Sequence, residues 1–299
     1  MYLLRLTVAL FILPFIGLLL LFTACKPAAN LQSQERLENA PRIISLAPSI
    51  TEIIFALDAG ELLVGRSMHC KHPTEALNIA SIGRIDLPDA EKILSLQPDS
   101  IILSALTPVE VEQRLRQMNL PTVRLQHSGL DGLRKDIETL AKQLGREQTG
   151  ARFLIHWDQT IAGIESAVAA KSIDPPRVVL LYSMSALYSA GSGSFVGDLI
   201  GLCGGYNIAN KAISPWPQLN REALLAANPE VILLAMSSEE RSEMDRNAFI
   251  QQLLADTYWS QIGAVQTARI HFIPADWLTV PGPRTLDAIE AIFAAIHEN

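Results

Sequence analysis

The stretch Gln148–Lys171, QTGARFLIHWDQTIAGIESAVAAK, decides how this chain folds. Phe153, Trp157, Ile161, Ile164 and Val168 recur at spacings of three and four, the repeat of one helical face. No proline interrupts the run. Gly145 stands just before it, where a preceding helix over 133–144 would want its left-handed terminal residue, and Asp174-Pro175-Pro176 closes it. At 1.5 Å per residue the helix is roughly 35 Å long, about the width of a small domain. It reads either as a strut holding two lobes apart or as one more crossover helix in a single doubly wound domain.

The flanking segments favour the strut because they resemble each other. Before it runs Asp89–Leu103, DAEKILSLQPDSIIL; after it runs Asn220–Leu234, NREALLAANPEVILL. Each reads as a helix start with Glu at the third position, an amphipathic turn, a Pro followed by an acid, and a β-rich strand. Each half also opens with an apolar strand after a Pro-Arg pair, at Pro41-Arg42 and Pro176-Arg177. Two copies of one supersecondary unit imply two related α/β lobes with a cleft between them. The expected fold is thus two Rossmann-like lobes with mostly parallel sheets, joined by a single long helix, with limits at 41–146, 147–172 and 173–299.

Among 299 residues, 49% are hydrophobic and 18% charged, which excludes disorder for the bulk of the chain. A net charge of −7 with no dense basic run argues against a nucleic-acid partner. Residues 1–24 read as a signal: Arg5 is the lone cation, and 6–22 is almost wholly apolar. The run is long enough for a transmembrane anchor, but Pro14, Gly17 and the small residues Thr23-Ala24 ahead of Cys25 favour cleavage. This site resembles a bacterial lipobox, with Cys25 carrying lipid. Polar residues 25–40 read as a tether. One further cysteine falls in each lobe, and a bridge between Cys70 and Cys203 would lock the cleft, so both are expected to be free thiols.

Strands are expected over 43–46, 62–66, 79–82, 100–103 and 122–125 in the first lobe, and over 178–182, 231–235 and 270–273 in the second. Ligands of parallel sheets sit beyond the carboxyl ends of strands. This places His69, Cys70, His72 and His127 near the cleft. In the second lobe, Trp216 between Pro215 and Pro217 reads as a ligand platform. The glycines of Gly191–Gly197, GSGSFVG, miss the dinucleotide-binding spacing by one residue. His69, His72, His127 and Asp276 fit no zinc spacing. No nucleophile elbow, Walker loop or acid–base carboxylate pair is present, so catalysis is not supported. Glu91 and Glu222 occupy equivalent positions in the repeats. The plainer reading is a carboxylate favoured in a helix's first turn; the sharper one is a pair of acids docking on a pseudo-symmetric basic partner.

From Pro41 onward the chain resembles the substrate-binding proteins of ABC importers for cobalamin, haem and ferric siderophores, and within them the cobalamin binders. The resemblance rests on RIISLAPSITEIIFAL, DAEKILSLQPDSIIL, SAGSGSFVGDLIGLCGGYNI, PWPQLNREALL, and ADW followed by PGPR. It implies the class III periplasmic-binding-protein architecture, with two lobes on one rigid helix. It also implies an exported, lipid-anchored, monomeric receptor, not an enzyme, that needs no cofactor and no structural metal. Such a receptor delivers cobalamin, or alternatively haem or a ferric siderophore, to an ABC permease dimer with its ATPase subunits. Glu91 and Glu222 match acids that pair with permease arginines. Trp216 and Asp276 match cleft residues of the cobalamin binders, and Tyr188 replaces one aromatic by another. Ile85 and Ser104 stand where those binders carry tryptophans, and His69 replaces a tyrosine. His69 with Tyr188 would equally suit haem iron. A metal-ion receptor on this scaffold and an exported α/β enzyme are the remaining alternatives.

Overall fold

The computed structural model describes residues 40–126, 129–171 and 174–297. Cys25, the leader 1–24, the tether to residue 39 and His127 lie outside them. The first lobe runs β1 (Ile43–Ser45), α1 (Pro48–Ala56), β2 (Leu63–Arg66), α2 (Ala90–Ser95), β3 (Ser100–Leu103), α3 (Val109–Gln117), β4 (Thr122–Arg124) and α4 (Gly129–Gln143). Helix α5 (Glu147–Ala169) follows. The second lobe runs β5 (Arg177–Leu181), α6 (Phe195–Leu202), β6 (Tyr206–Asn207), α7 (Arg221–Ala227), β7 (Val231–Met236), α8 (Ser238–Glu243), α9 (Arg246–Ala255), α10 (Gly263–Gln266), β8 (Ile270–Pro274), α11 (Ala275–Thr279) and α12 (Thr285–His297).

Two separate four-stranded sheets form, ordered β2-β1-β3-β4 and β6-β5-β7-β8. Every strand pair within them is parallel. The two sheets rule out a single doubly wound domain. Helices cover the sheet faces, which is why β7 reads VILLAM without alternation and is buried throughout.

The duplication reaches individual hydrogen bonds. Asp89 caps α2 by accepting from the Lys92 N–H at 3.0 Å, and Asn220 caps α7 by accepting from Ala223 at 2.7 Å. After each helix the chain turns through a left-handed residue, Gln97 (φ 46°) and Asn228 (φ 41°). The Pro-Arg pairs then anchor it. Arg42 donates its backbone N–H to Asp99 at 2.7 Å and its Nε to the Leu96 carbonyl at 3.0 Å. Arg177 donates the same groups to Glu230 and to the Asn228 carbonyl, both at 2.9 Å. In each half an arginine before the first strand locks the turn that feeds the third.

Helix α5 is the expected strut, 23 residues long. Trp157 and Ile164 are buried as the periodicity requires, together with Gly150 and Leu154, while Phe153, Ile161 and Val168 are half-buried. Its first half lies on α4, where a Cβ built on Gly150 would stand 2.4 Å from the Ala141 Cβ. Arg134 of α4 also makes a bidentate pair with Asp158, both bonds 2.9 Å. Its far end meets the second lobe: a Cβ on Gly204 would stand 2.8 Å from Val168, and Lys171 lies 5.9 Å over the Phe293 ring. Cys70 and Cys203 are both free and buried.

One strand assignment needs correction, and one strand was not foreseen. Residues 79–82 make only a single bridge, Arg66 to Ser81. The Thr74–Asn78 turn feeds directly into this segment and Gly83, at φ 90°, turns it away. Strand β6 escapes a reading by periodicity because it pairs for two residues only, after Gly204-Gly205.

The Gly150–Ala141 crossing generates a stability prediction. Gly150→Val inserts volume where none is free and is expected to destabilise the fold by about 1–3 kcal/mol. Urea unfolding measures this as a lower midpoint at an unchanged m-value.

Candidate functional site

Loops that follow β1, β2 and β8 meet at the lobe boundary, around Glu52, His72 and Arg284. In the second lobe, Tyr188 and Gln218 form an antiparallel bridge. Ser189 and Gly191 donate N–H bonds to the Pro217 and Pro215 carbonyls, both at 2.9 Å. In that register Leu187, Ser189, Pro217 and Leu219 share one face, and Tyr188, Ala190, Trp216 and Gln218 the other. The first set turns inward. Tyr188 (50% exposed) and Trp216 (51% exposed) therefore stand out together. The Tyr182 ring packs against Trp216, centroids 6.1 Å apart at 56°. Its hydroxyl is buried with no hydrogen-bond partner among the described residues, and burial pushes its pKa up to about 12.

The polar part of the boundary centres on Arg284, in the loop between α11 and α12. Its Nε and Nη2 donate to Glu52 of α1 at 2.9 and 2.5 Å, a two-point fork reaching from the second lobe into the first. Its Nη1 donates to Asp276, the first-turn acid of α11. The Glu52 side chain is 3% exposed and that of Asp276 46%. Breaking a buried pair of this kind by removing one partner costs about 3–5 kcal/mol.

Of the four residues expected to contact ligand, the fold brings Tyr188 and Trp216 onto one face and ties Asp276 into the Arg284 cluster. His69 is exposed in the first lobe, beside the Arg84–Asp86 pair; Arg84 holds the Asp86 carboxyl below the usual range, with a smaller pull from His69. Among the described residues no hydrogen bond joins His69 to Tyr188, Trp216 or Asp276. The histidine at the lobe boundary is His72, which lines a cavity of about 420 Å³ with Glu52, Pro73, Pro283 and Arg284. Ile85 packs on the first-lobe core, and Ser104 is buried with its hydroxyl unpartnered. No cluster of three or more His, Cys, Asp or Glu able to hold a metal occurs among the described residues.

A family model described as periplasmic binding protein matches residues 43–277. The vitamin B12-binding protein of Vibrio cholerae is 30% identical over 254 residues, covering 85% of this chain and 88% of that protein. The chain belongs to the periplasmic binding protein family. The crystal structure of the periplasmic vitamin B12-binding protein of Vibrio cholerae superposes with a TM-score of 0.71 at 30% identity, over 86% of this chain and 96% of that one. The periplasmic haem-binding protein of Roseiflexus in its apo form gives 0.70 at 28%, over 87% and 100%.

Within this periplasmic binding protein, Glu91 and Glu222 both lie exposed in the first turns of the duplicated helices α2 and α7. Reading the sequence missed Tyr182, Glu52 and Arg284. Tyr182 carried one signal, as the aromatic that ends an expected strand. Arg284 was visible only as part of the PGPR segment, because its partner Glu52 lies 232 residues away.

Burial raises the pKa of Glu52 above 4.5, with the hydrogen bonds and charge of Arg284 and the field of His72 opposing and that of Asp276 adding. The folded protein thus binds this proton more tightly than the unfolded chain. The stabilisation is complete below pH 4.5 and is lost as pH rises through the folded-state value. Compared with Glu52→Gln, the wild type is expected to gain stability as pH falls from about 7 toward that value. Urea midpoints of both proteins across this range check the slope, and the opposite slope would mean that pairing outweighs burial.

Proposed function

We propose that this protein is the extracytoplasmic receptor of an ABC importer that captures a corrinoid and hands it to a permease dimer. The observation carrying this reading is the exposed aromatic face of Tyr188 and Trp216, preformed on loops of the second lobe. A flat, bulky ligand stacks on such a face, while Asp276 accepts hydrogen bonds from its rim. The vitamin B12-binding relatives support cobalamin as the ligand. His69 closes the site from the first lobe. Glu91 and Glu222, one exposed acid per lobe in matching positions, dock on the permease. Residues 1–24 direct export, Cys25 carries the lipid, 25–40 form the tether, and the lobes fall at 41–146 and 173–299 about the helix 147–172. The receptor acts as a monomer without catalysis.

Haem is the second reading, favoured by the haem-binding neighbour and by exposed His69 and Tyr188 as axial ligands. Titration of the purified protein with cyanocobalamin, haemin and ferric siderophores separates the two. Nanomolar cyanocobalamin binding, weakened about ten-fold or more in Trp216→Ala, is the expected result, since one stacked ring contributes on the order of 1 kcal/mol or more. A haemin absorption band lost in His69→Ala and indifferent to Trp216 would replace cobalamin by haem.

Docking has its own test. The double variant Glu91→Lys with Glu222→Lys is expected to bind ligand like the wild type. Its stimulation of uptake into vesicles bearing the permease and ATPase should fall by more than ten-fold, as like charges meet across the interface.

A further inference from the structure

Arg284 spends all three of its nitrogens on carboxylates of two different lobes. The fork on Glu52 fixes the distance from the α11–α12 loop to α1, while the third nitrogen holds Asp276 Oδ2. The contact is close-packed as well as charged. Gly282 faces α1 at ordinary contact distance: a Cβ there would stand 3.5 Å from Glu52 Oε2 and 3.7 Å from the Ser49 Cα. Its N–H donates to the Thr285 hydroxyl at 3.3 Å, within the turn that starts α12. A rigid turn therefore delivers the guanidinium. The Glu52 side chain is 3% exposed, whereas Asp276 keeps almost half of its side chain open.

We propose that Arg284 is a positioning residue: it sets the spacing of the two lobes through Glu52 and, in the same act, aims the free oxygen of Asp276 at the ligand. Lobe spacing and hydrogen-bond geometry in the cleft then rise or fall together. The strut alone does not supply this. A helix fixes the distance between its ends and leaves rotation of the lobes about its axis to other contacts. The second half of the proposal rests on the reading of Asp276 as a ligand contact; the first half does not.

Spin labels at Ser95→Cys in the first lobe and Gln251→Cys in the second, both exposed sites, placed in a Cys25→Ser background, report lobe spacing by pulsed electron resonance; Cys70 and Cys203 are buried and stay unlabelled. In the ligand-free protein Arg284→Met is expected to broaden the distance distribution. Arg284→Lys, which keeps the charge and loses the fork, gives an intermediate breadth and covers the case in which the methionine variant does not fold. Distributions equal to wild type in whichever variants fold would overturn the lock. Cyanocobalamin affinity is expected to fall at least ten-fold in Arg284→Met and to recover in part in Arg284→Lys. An unchanged affinity alongside a broadened distribution would overturn the aiming of Asp276. Failure of the wild type to bind cyanocobalamin overturns the ligand assignment instead, and the distance measurement still decides the lock.

Discussion

A helix of 23 residues cannot fold back on itself, and its backbone hydrogen bonds leave little freedom to bend. Helix α5 therefore imposes a separation on the two sheets, and the remaining contacts work within it. Its grip on each lobe combines buried large residues, Leu154, Trp157 and Ile164, with close approach at small ones. Gly150 lets α5 approach α4 at Ala141, and Gly204 lets the second lobe approach Val168. Close approach of backbones leaves few rotamers to choose from, so the crossing geometry is well defined. The lobes inherit that definition.

Much of this was legible because the chain states it twice. An Arg before the first strand, an acid after the Pro and a polar cap before the short helix are each weak signals alone. Repeated 131 residues apart, as Asp89 and Asn220 are, they constrain one another. The aromatic platform was half legible: Trp216 between prolines marked a stiff exposed loop, but its partner Tyr182 required the pairing of two loops. Short pairings such as β6 carry too few residues to show a period, and residues 79–82 show β propensity without the neighbours to use it. The Arg284–Glu52 contact was hidden for a different reason. Glu52 sits among Ile50, Ile53 and Ile54 in a buried helical turn, and only the three-dimensional fold supplies the guanidinium that pairs with it.

The same contact explains why a cleft acid was easier to find than its function. Asp276 belongs to a cluster of two carboxylates and one guanidinium, which carries a net negative charge. The ADW and PGPR segments lie within one loop system because Asp276 and Arg284 must reach each other over eight residues.

The aromatic face cannot by itself hold a ligand tightly. Tyr188 and Trp216 each leave about half their surface to cover, on the order of 100 Å² apiece, which at about 25 cal/mol per Å² amounts to roughly 5 kcal/mol. Nanomolar binding needs about 12 kcal/mol. Under the receptor reading proposed above, the difference falls to loops of the first lobe, where Met68, Leu87 and Leu106 stand exposed, and to Asp276. Both contributions depend on the first lobe standing at the right distance, and neither survives if the ligand must spend its binding energy closing a loose cleft. A stiff strut with a charged lock at the boundary meets that requirement before the ligand arrives.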